Sequence, residues 1–387
     1  MASLKLTVNG LRLPNPFVIA SGPPGTNASV IGRAFDEGWG AVVCKTVCLD
    51  ASKIVNVQPR YARLRAKDTE EVYGWENIEL ISDRPFETWL DEFKRLKDRY
   101  PDRVLIASIM EEYRRDAWAE IVARCQETGV DALELNMSCP HGLPERKMGS
   151  AMGEDPAILE EVCRWVMDVA RVPVWVKLTP NVTRVEEPAR AAFRAGCQGV
   201  SAINTIRSVM GVNLDTLRPE PTVEGFSTPG GYSCTAIRPI ALAMCMEIAA
   251  VIRDGFPGRT LSGIGGIETG GDAAQFLLLG CDTVQVCTGV MKSGYEIVGP
   301  MCDELLAFME RHGFETIEDF RGYSLQFFTS HSELVRLRGE AKEKVRREIA
   351  SRAAVTKEVS IARPVIVADH EWTADEFVQQ TDALAGD

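Results

Sequence analysis

Eight short runs rich in Val, Ile, Leu and Ala recur along the chain, separated by stretches of helical periodicity. They are FVIAS (17–21), AVVCKT (41–46), RVLIASIM (103–110), ALELNM (132–137), VPVWVKLT (172–179), GVSAINT (199–205), TLSGIGGI (260–267) and TVQVCTGV (283–290). Each is nearly continuous in apolar residues, the pattern of parallel strands covered on both faces. Between them, PFETWLDEFKRLKDRY, RRDAWAEIVARCQETG and RPIALAMCMEIAAVIRDG show the clearest amphipathic spacing. In DEGWGAVV, ETGVDALEL, RAGCQGVSAI and LLGCDTVQV a glycine stands between a helical segment and the next strand, where a left-handed C-cap belongs. Eight alternating units predict an α/β fold of the (β/α)8 TIM-barrel type; an open doubly wound sheet is the alternative.

The connections at residues 47–84 and 206–234 are longer than a barrel needs and read as rim insertions covering a substrate. The barrel domain is expected over residues 1–325. Residues 326–387 are expected to form a charged helical C-terminal extension, with SELVRLRGEAKEKVRREIASR as one helix and a Thr373/Glu376 capping box opening another. Such a tail serves packing or association, or is simply solvated.

A formal net charge of -12 argues against a nucleic-acid or anionic-membrane partner, since like charges would meet over most of the surface. No run approaches the roughly 20 apolar residues that span a bilayer, and MASLKLTVNG lacks the features of a signal peptide. Eleven scattered cysteines show neither zinc nor iron–sulfur spacing. Reduced thiols in a cytoplasmic protein fit them, each a small buried hydrophobe by default, with Cys139 the exception.

Barrel chemistry sits where strands end and loops begin. Polar residues gather there: Ser21 and Gly22, Lys45 and Thr46, Asn136, Lys177 and Thr179, Asn204 and Thr205, Gly265 and Gly266, Thr288 and Gly289. The ends of strands seven and eight commonly bind phosphate, so SGIGGIETG and VCTGV point to a phosphorylated cofactor, or else to close packing. Lys45 and Lys177 close apolar strands, where an ammonium needs a negative partner to offset its desolvation. A reduced flavin supplies one; a core carboxylate such as Glu134 supplies another.

LNMSCPHG, KLTPNVT, AINT, TAIRPIAL, IASIM and NIELIS together make the chain resemble the flavin-binding barrel domain of the dihydropyrimidine dehydrogenase family, related to the class 1 dihydroorotate dehydrogenases. The resemblance runs from about residue 5 to about residue 325. It implies FMN over the strand ends, with Ser21, Gly22, Lys45, Thr46, Asn136, Lys177 and Asn204 near it and Gly265, Gly266, Thr288 and Gly289 at its phosphate. It implies a uracil pocket of Asn77, Glu79, Ile81, Asn136, Ser138, Asn204 and Thr205, with Cys139 as the catalytic thiol. His141 would tune or relay the thiol's proton, or merely fix its loop, and GLPERKMGSAMGEDP reads as a mobile loop carrying Cys139 inward.

The expected activity is reduction or formation of the 5,6 double bond of uracil- or thymine-type pyrimidines, within pyrimidine metabolism. Hydride would pass through flavin N5 and a proton through Cys139. Relatives carry iron–sulfur clusters in attached segments, whereas this chain has no cysteine beyond Cys302. Electrons are therefore expected from NAD(P)H through a separate iron–sulfur/FAD partner, with the tail as a docking element; direct use of a nicotinamide cofactor is the alternative. A homodimer is implied by the resemblance alone. Cys234 stands where relatives usually have glycine close to the flavin and is expected to reshape the pocket. The competing readings are a flavoenzyme acting on another planar cyclic carbonyl compound, including dihydroorotate, and a flavin-free barrel scaffold. Glu79 argues against orotate through charge repulsion.

Overall fold

The computed structural model describes residues 2–139 and 148–353. Eight parallel strands form a closed barrel: β1 (Phe17–Ile19), β2 (Ala41–Val43), β3 (Val104–Ile109), β4 (Ala132–Met137), β5 (Val174–Leu178), β6 (Gly199–Ala202), β7 (Thr260–Ile264) and β8 (Thr283–Val286). Each strand pairs with its sequence neighbour, and β8 returns to β1. Every expected strand is present, and the doubly wound alternative is excluded by the closure.

Helices α1 (Ala28–Glu37), α2 (Phe86–Arg99), α3 (Arg115–Gln126), α4 (Pro156–Met167), α5 (Glu186–Arg194), α6 (Arg238–Gly255), α7 (Gly270–Leu278) and α8 (Val298–His312) follow the strands in turn. The anticipated punctuation is seen in the backbone: Gly38, Gly129, Gly196 and Gly280 all have φ between 85° and 102°. These left-handed residues let each helix stop and the chain enter the next strand within a few residues.

Strand register decides what faces inward. Ser108 pairs with Glu134, Glu134 with Trp175, and Asn136 with Lys177, which in turn lies beside Ser201. Neighbours in parallel register share a face, so these side chains point into the barrel. Leu133, Leu135 and Met137 point outward into a single extensive core with the helices. A hairpin of Leu6–Val8 and Leu11–Leu13 lies at the other end of the barrel, where Asn9 Nδ2 donates to Thr260 Oγ1 at 2.8 Å.

Residues Thr235–Gly255 reach a mean hydropathy of 1.7, enough by length and composition to cross a membrane. In this fold α6 buries Ala241, Cys245, Ile248, Ala249 and Val251. Its apolar side packs on β6 and β7, which explains the composition.

Both long connections reach the rim. Tyr61–Arg65 and Val72–Asn77 from the first join Ile206–Ser208 and Gly230–Ser233 from the second in a four-stranded antiparallel sheet. Glu76 fastens the two insertions by accepting from Ser208 Oγ at 2.7 Å, Met210 N at 3.1 Å and Gly230 N at 3.2 Å.

The chain divides into two compact units at Phe327/Phe328. The described part of the second contains the charged helix α9 (His331–Ala353). Thr373 and Glu376 lie outside the described residues.

Candidate active site

At the end of β4 the alternation that turns Glu134 inward also turns Asn136 inward, one layer nearer the barrel mouth. Asn136 Oδ1 then accepts from Ser138 N at 3.2 Å, Ser138 Oγ at 3.0 Å and Cys139 N at 3.0 Å. Such side-chain capping replaces the ladder bonds a strand loses when it ends. Asn136 Nδ2 donates to Thr46 Oγ1 at 2.9 Å. Thr46 Oγ1 also lies 2.8 Å from Ser108 Oγ and 3.1 Å from Ser21 Oγ. On the other side, Asn204 Nδ2 donates to Ser138 Oγ at 2.8 Å. One network of side chains thus joins the ends of β1, β2, β4 and β6.

These residues border a cleft of about 1070 Å3, measured out to open solvent. Ser21, Gly22, Lys45, Thr46, Asn136 and Lys177 line it from the barrel. Gly265, Gly266, Thr288 and Gly289 line it after β7 and β8, and Asn77, Glu79, Ile81, Asn204 and Thr205 line it from the insertions and the end of β6. Ser138 does not reach the cleft. It is fully buried behind the rim, where its hydroxyl links Asn136 to Asn204.

Cys139 lines the cleft but packs into a small apolar cluster with Cys48, Ile81, Met110 and Met148. Its carbonyl accepts from Ser150 N at 3.1 Å. A short helix, Ser150–Gly153, sits directly against this turn, because a Cβ on Gly153 would stand 1.8 Å from Met137 O. His141 and residues 140–147 lie outside the described residues.

Both lysines have acidic neighbours. Lys45 Nζ lies 2.7 Å from Glu79 Oε2, and Arg60 approaches the same carboxylate at 3.5 Å. Lys177 Nζ stands 3.9 Å from Glu134 Oε1. Each lysine thus has a carboxylate beside it, Glu134 near Lys177 and Glu79 against Lys45. Tyr61 also borders the cleft; burial first, and then the Glu79 charge, raise its hydroxyl above the ordinary range. Burial pushes the Cys287 thiol up to about 11 despite the two lysine charges.

Gly265 and Gly266 have φ of 143° and 67°, and a Cβ on Gly266 would fall 2.9 Å from Cys234 O. Close backbone approach thus requires glycine there. Beside them Lys292 Nζ donates to both oxygens of Glu268, at 2.8 and 2.7 Å, and to Val72 O at 3.0 Å, tying the rim sheet to the barrel. Cys234 also lines the cleft, with φ 80° and ψ -168°, a conformation otherwise left to glycine. Its thiol approaches Val72 O at 3.5 Å and Glu268 Oε1 at 3.7 Å.

The donor set suits a flat, phosphorylated cofactor. It would meet ammonium groups, amides, hydroxyls and glycine backbone along the cleft.

Arg60, Tyr61, Trp75, Gln285, Cys287, Glu268 and Lys292 were not foreseen as site residues. Gln285 alone had a sequence signal, a polar side chain inside the apolar run TVQV. The others lie in insertions or after strand ends, where no periodicity marks them.

The family profile described as "Dihydroorotate dehydrogenase" matches residues 3–309. Over 386 residues the chain is 58% identical to "Dihydropyrimidine dehydrogenase (NADP(+)), chloroplastic" of Arabidopsis thaliana, covering 98% of this chain and 87% of that protein. It is 41% identical to "NAD-dependent dihydropyrimidine dehydrogenase subunit PreA" of Escherichia coli strain K12, over 82% of this chain and 76% of the relative. The fold matches a crystal structure of DHODH in complex with ferulenol from Eimeria tenella, with a TM-score of 0.69 at 22% identity, covering 83% of this chain and 88% of that one. A barrel of this topology, a cleft built from these motifs and identities of this extent agree: the chain belongs to the dihydroorotate dehydrogenase family, among its dihydropyrimidine dehydrogenase members.

Proposed function

We propose that this chain is an FMN-dependent oxidoreductase acting on the 5,6 double bond of uracil- or thymine-type pyrimidines. The observation that carries this reading is the hydrogen-bonded network from Ser21 through Thr46, Asn136 and Ser138 to Asn204. It holds two amides and the Cys139 turn at the same cleft as Lys45 and Lys177. FMN, when bound, supplies a ring able to exchange a hydride with carbon.

The chain's own residues do the rest. Gly265, Gly266, Thr288 and Gly289 would hold the phosphate, while Lys45, Lys177 and Thr46 would meet the polar edge of the ring. Asn77, Asn136, Asn204 and Thr205 offer both donors and acceptors, matching a flat heterocycle with two carbonyls and two N–H groups. Glu79 would accept an N–H from the substrate, and Ile81 would pack on its apolar edge. Cys139 would hold a proton at Sγ and deliver it to C5; an ordinary thiol, with pKa about 8.5, keeps its proton at neutral pH. His141 would assist that transfer.

Electrons would come from NAD(P)H through a separate iron–sulfur/FAD partner, a reading supported by the word "subunit" in the name of the Escherichia coli relative. The segment after Phe327 would serve as a docking element, and the catalytic unit would pair as a homodimer. A reducing compartment such as the cytoplasm suits eleven cysteines of which none forms a disulfide.

A second reading gains from the structure. Lys45 and Arg60 both approach Glu79, so its charge is offset and its repulsion of a carboxylate-bearing substrate such as orotate is weaker than the sequence suggested. The test is anaerobic photoreduction of the purified protein, followed by uracil, thymine or orotate. Recovery of the absorption band at about 450 nm with uracil and thymine supports the first reading, and recovery with orotate alone supports the second. A protein that binds no flavin is a scaffold, and bleaching by NAD(P)H alone removes the need for a partner.

A further inference from the structure

Glu134 is 1% exposed, and its two oxygens are treated very differently. Oε2 accepts from Ser201 Oγ and from Gln285 Nε2, both at 2.8 Å. Oε1 has no hydrogen-bond partner, and the Lys177 ammonium stands off at 3.9 Å. Gln285 Oε1 is a second buried acceptor without a donor. Two unsatisfied acceptors in one buried network call for a source of hydrogen.

Both residues line an interior cavity of about 20 Å3 shared with Trp175, Ser262 and Thr283. That is room for about one water. Gln285 also lines the cleft at the mouth, so the carboxylate lies between the cofactor site and this interior space.

We propose that Glu134 is the internal proton acceptor that balances charge when the cofactor in the cleft is reduced. The proposal rests on the FMN reading of the cleft. Taken with its neighbours, Lys177 and Glu134 form a neutral pair. From the other elements packed around the carboxylate come Ser108, Ser201 and Gln285, which do not titrate, and Cys44 on β2. Burial first of all, and then the Glu134 charge, push the Cys44 thiol up to about 12, against the lowering by its bond from Ser108 N, so it stays neutral. Among the described residues Lys177 is thus the charged group facing Glu134.

A bound flavin that took up two electrons and one proton from an external donor would carry one negative charge. With Glu134 ionised, Lys177 would be shared between two buried anions, because Lys45, the other ammonium at the ring, is held 2.7 Å from Glu79. A second proton bound at Glu134 Oε1 leaves Lys177 to the ring alone. The balance is two electrons and two protons, one proton on the ring and one on the carboxylate.

The test uses the full-length FMN-loaded protein, reduced anaerobically with dithionite in the presence of mediator dyes. The slope of its midpoint potential with pH across neutrality counts protons per electron pair. Wild type should take two protons and Glu134→Gln one, with FMN still bound. Gln285→Leu keeps the carboxylate but removes a donor to it, the 2.8 Å bond from Gln285 Nε2 to Glu134 Oε2. It should retain the two-proton count and slow the second uptake when a pH-indicating dye is followed after rapid photoreduction. Equal slopes in wild type and Glu134→Gln, or unslowed uptake in Gln285→Leu, would overturn the proposal while leaving the FMN site intact. A wild-type protein that takes up no FMN would sink the reading of the cleft and the proposal together.

Discussion

Replacing Asn136 with alanine isolates the bond pattern on which the rim depends. The side chain accepts three hydrogen bonds and donates one. On its loss, Thr46 Oγ1 keeps Ser108 and Ser21, and Ser138 Oγ keeps Asn204. The backbone N–H groups of Ser138 and Cys139 lose the acceptor that caps them. A buried donor left unsatisfied costs about 1–3 kcal/mol, so two give about 2–6 kcal/mol. Water entering from the adjoining cleft brings the value toward the lower end, roughly 2–3 kcal/mol. Ser138→Ala is the matched control, because it removes a hydroxyl from the same network without stranding a backbone donor. It should cost about 1 kcal/mol. In thermal unfolding followed by circular dichroism, at roughly 2 °C per kcal/mol for a domain of this size, Asn136→Ala should fall about 4–6 °C and Ser138→Ala about 2 °C. If Asn136→Ala is no less stable than Ser138→Ala, the capping role assigned to Asn136 is wrong.

Cys234→Gly should stabilise the fold by about 1 kcal/mol, since φ 80° with ψ -168° is a conformation for glycine; a drop in melting temperature would show that the thiol's contacts outweigh the strain. Gly153→Ala should destabilise by about 3 kcal/mol in urea titration, because its Cβ would stand 1.8 Å from Met137 O; an unchanged midpoint would contradict that packing. With its thiol pushed up to about 11, Cys287 should be alkylated slowly at pH 8, where about one thiol in a thousand is ionised. Peptide mapping after iodoacetamide should show its rate rising about tenfold per pH unit, and a plateau by neutral pH would mean that the lysines, not burial, govern it.

Local chemistry made the barrel legible. A run such as ALELNM needs only its own composition to be a buried strand, and Gly38, Gly129, Gly196 and Gly280 need only a steric preference to end helices where they do. Rim residues were found because strand ends carry polar side chains against an apolar background, and the ordered motifs around Asn136, Lys177 and Asn204 made the family recognisable.

Long-range meetings were not legible. Gln285 bonds Glu134 across 151 residues, and Arg60, just before the rim strand Tyr61–Arg65, reaches Glu79, just after the strand Val72–Asn77. Whether Ser138 lines the cleft or hides behind it depends on how Asn136 caps the turn and how Asn204 reaches it. The amino-acid order alone determined which segments are strands, where they stop and that they alternate with helices, because those outcomes depend on residues a few positions apart. Tertiary structure alone decided which carboxylate faces which lysine and which acceptors are left without donors. Those outcomes depend on the accumulated register of eight strands closing on themselves, a sum to which no single stretch of sequence holds the answer.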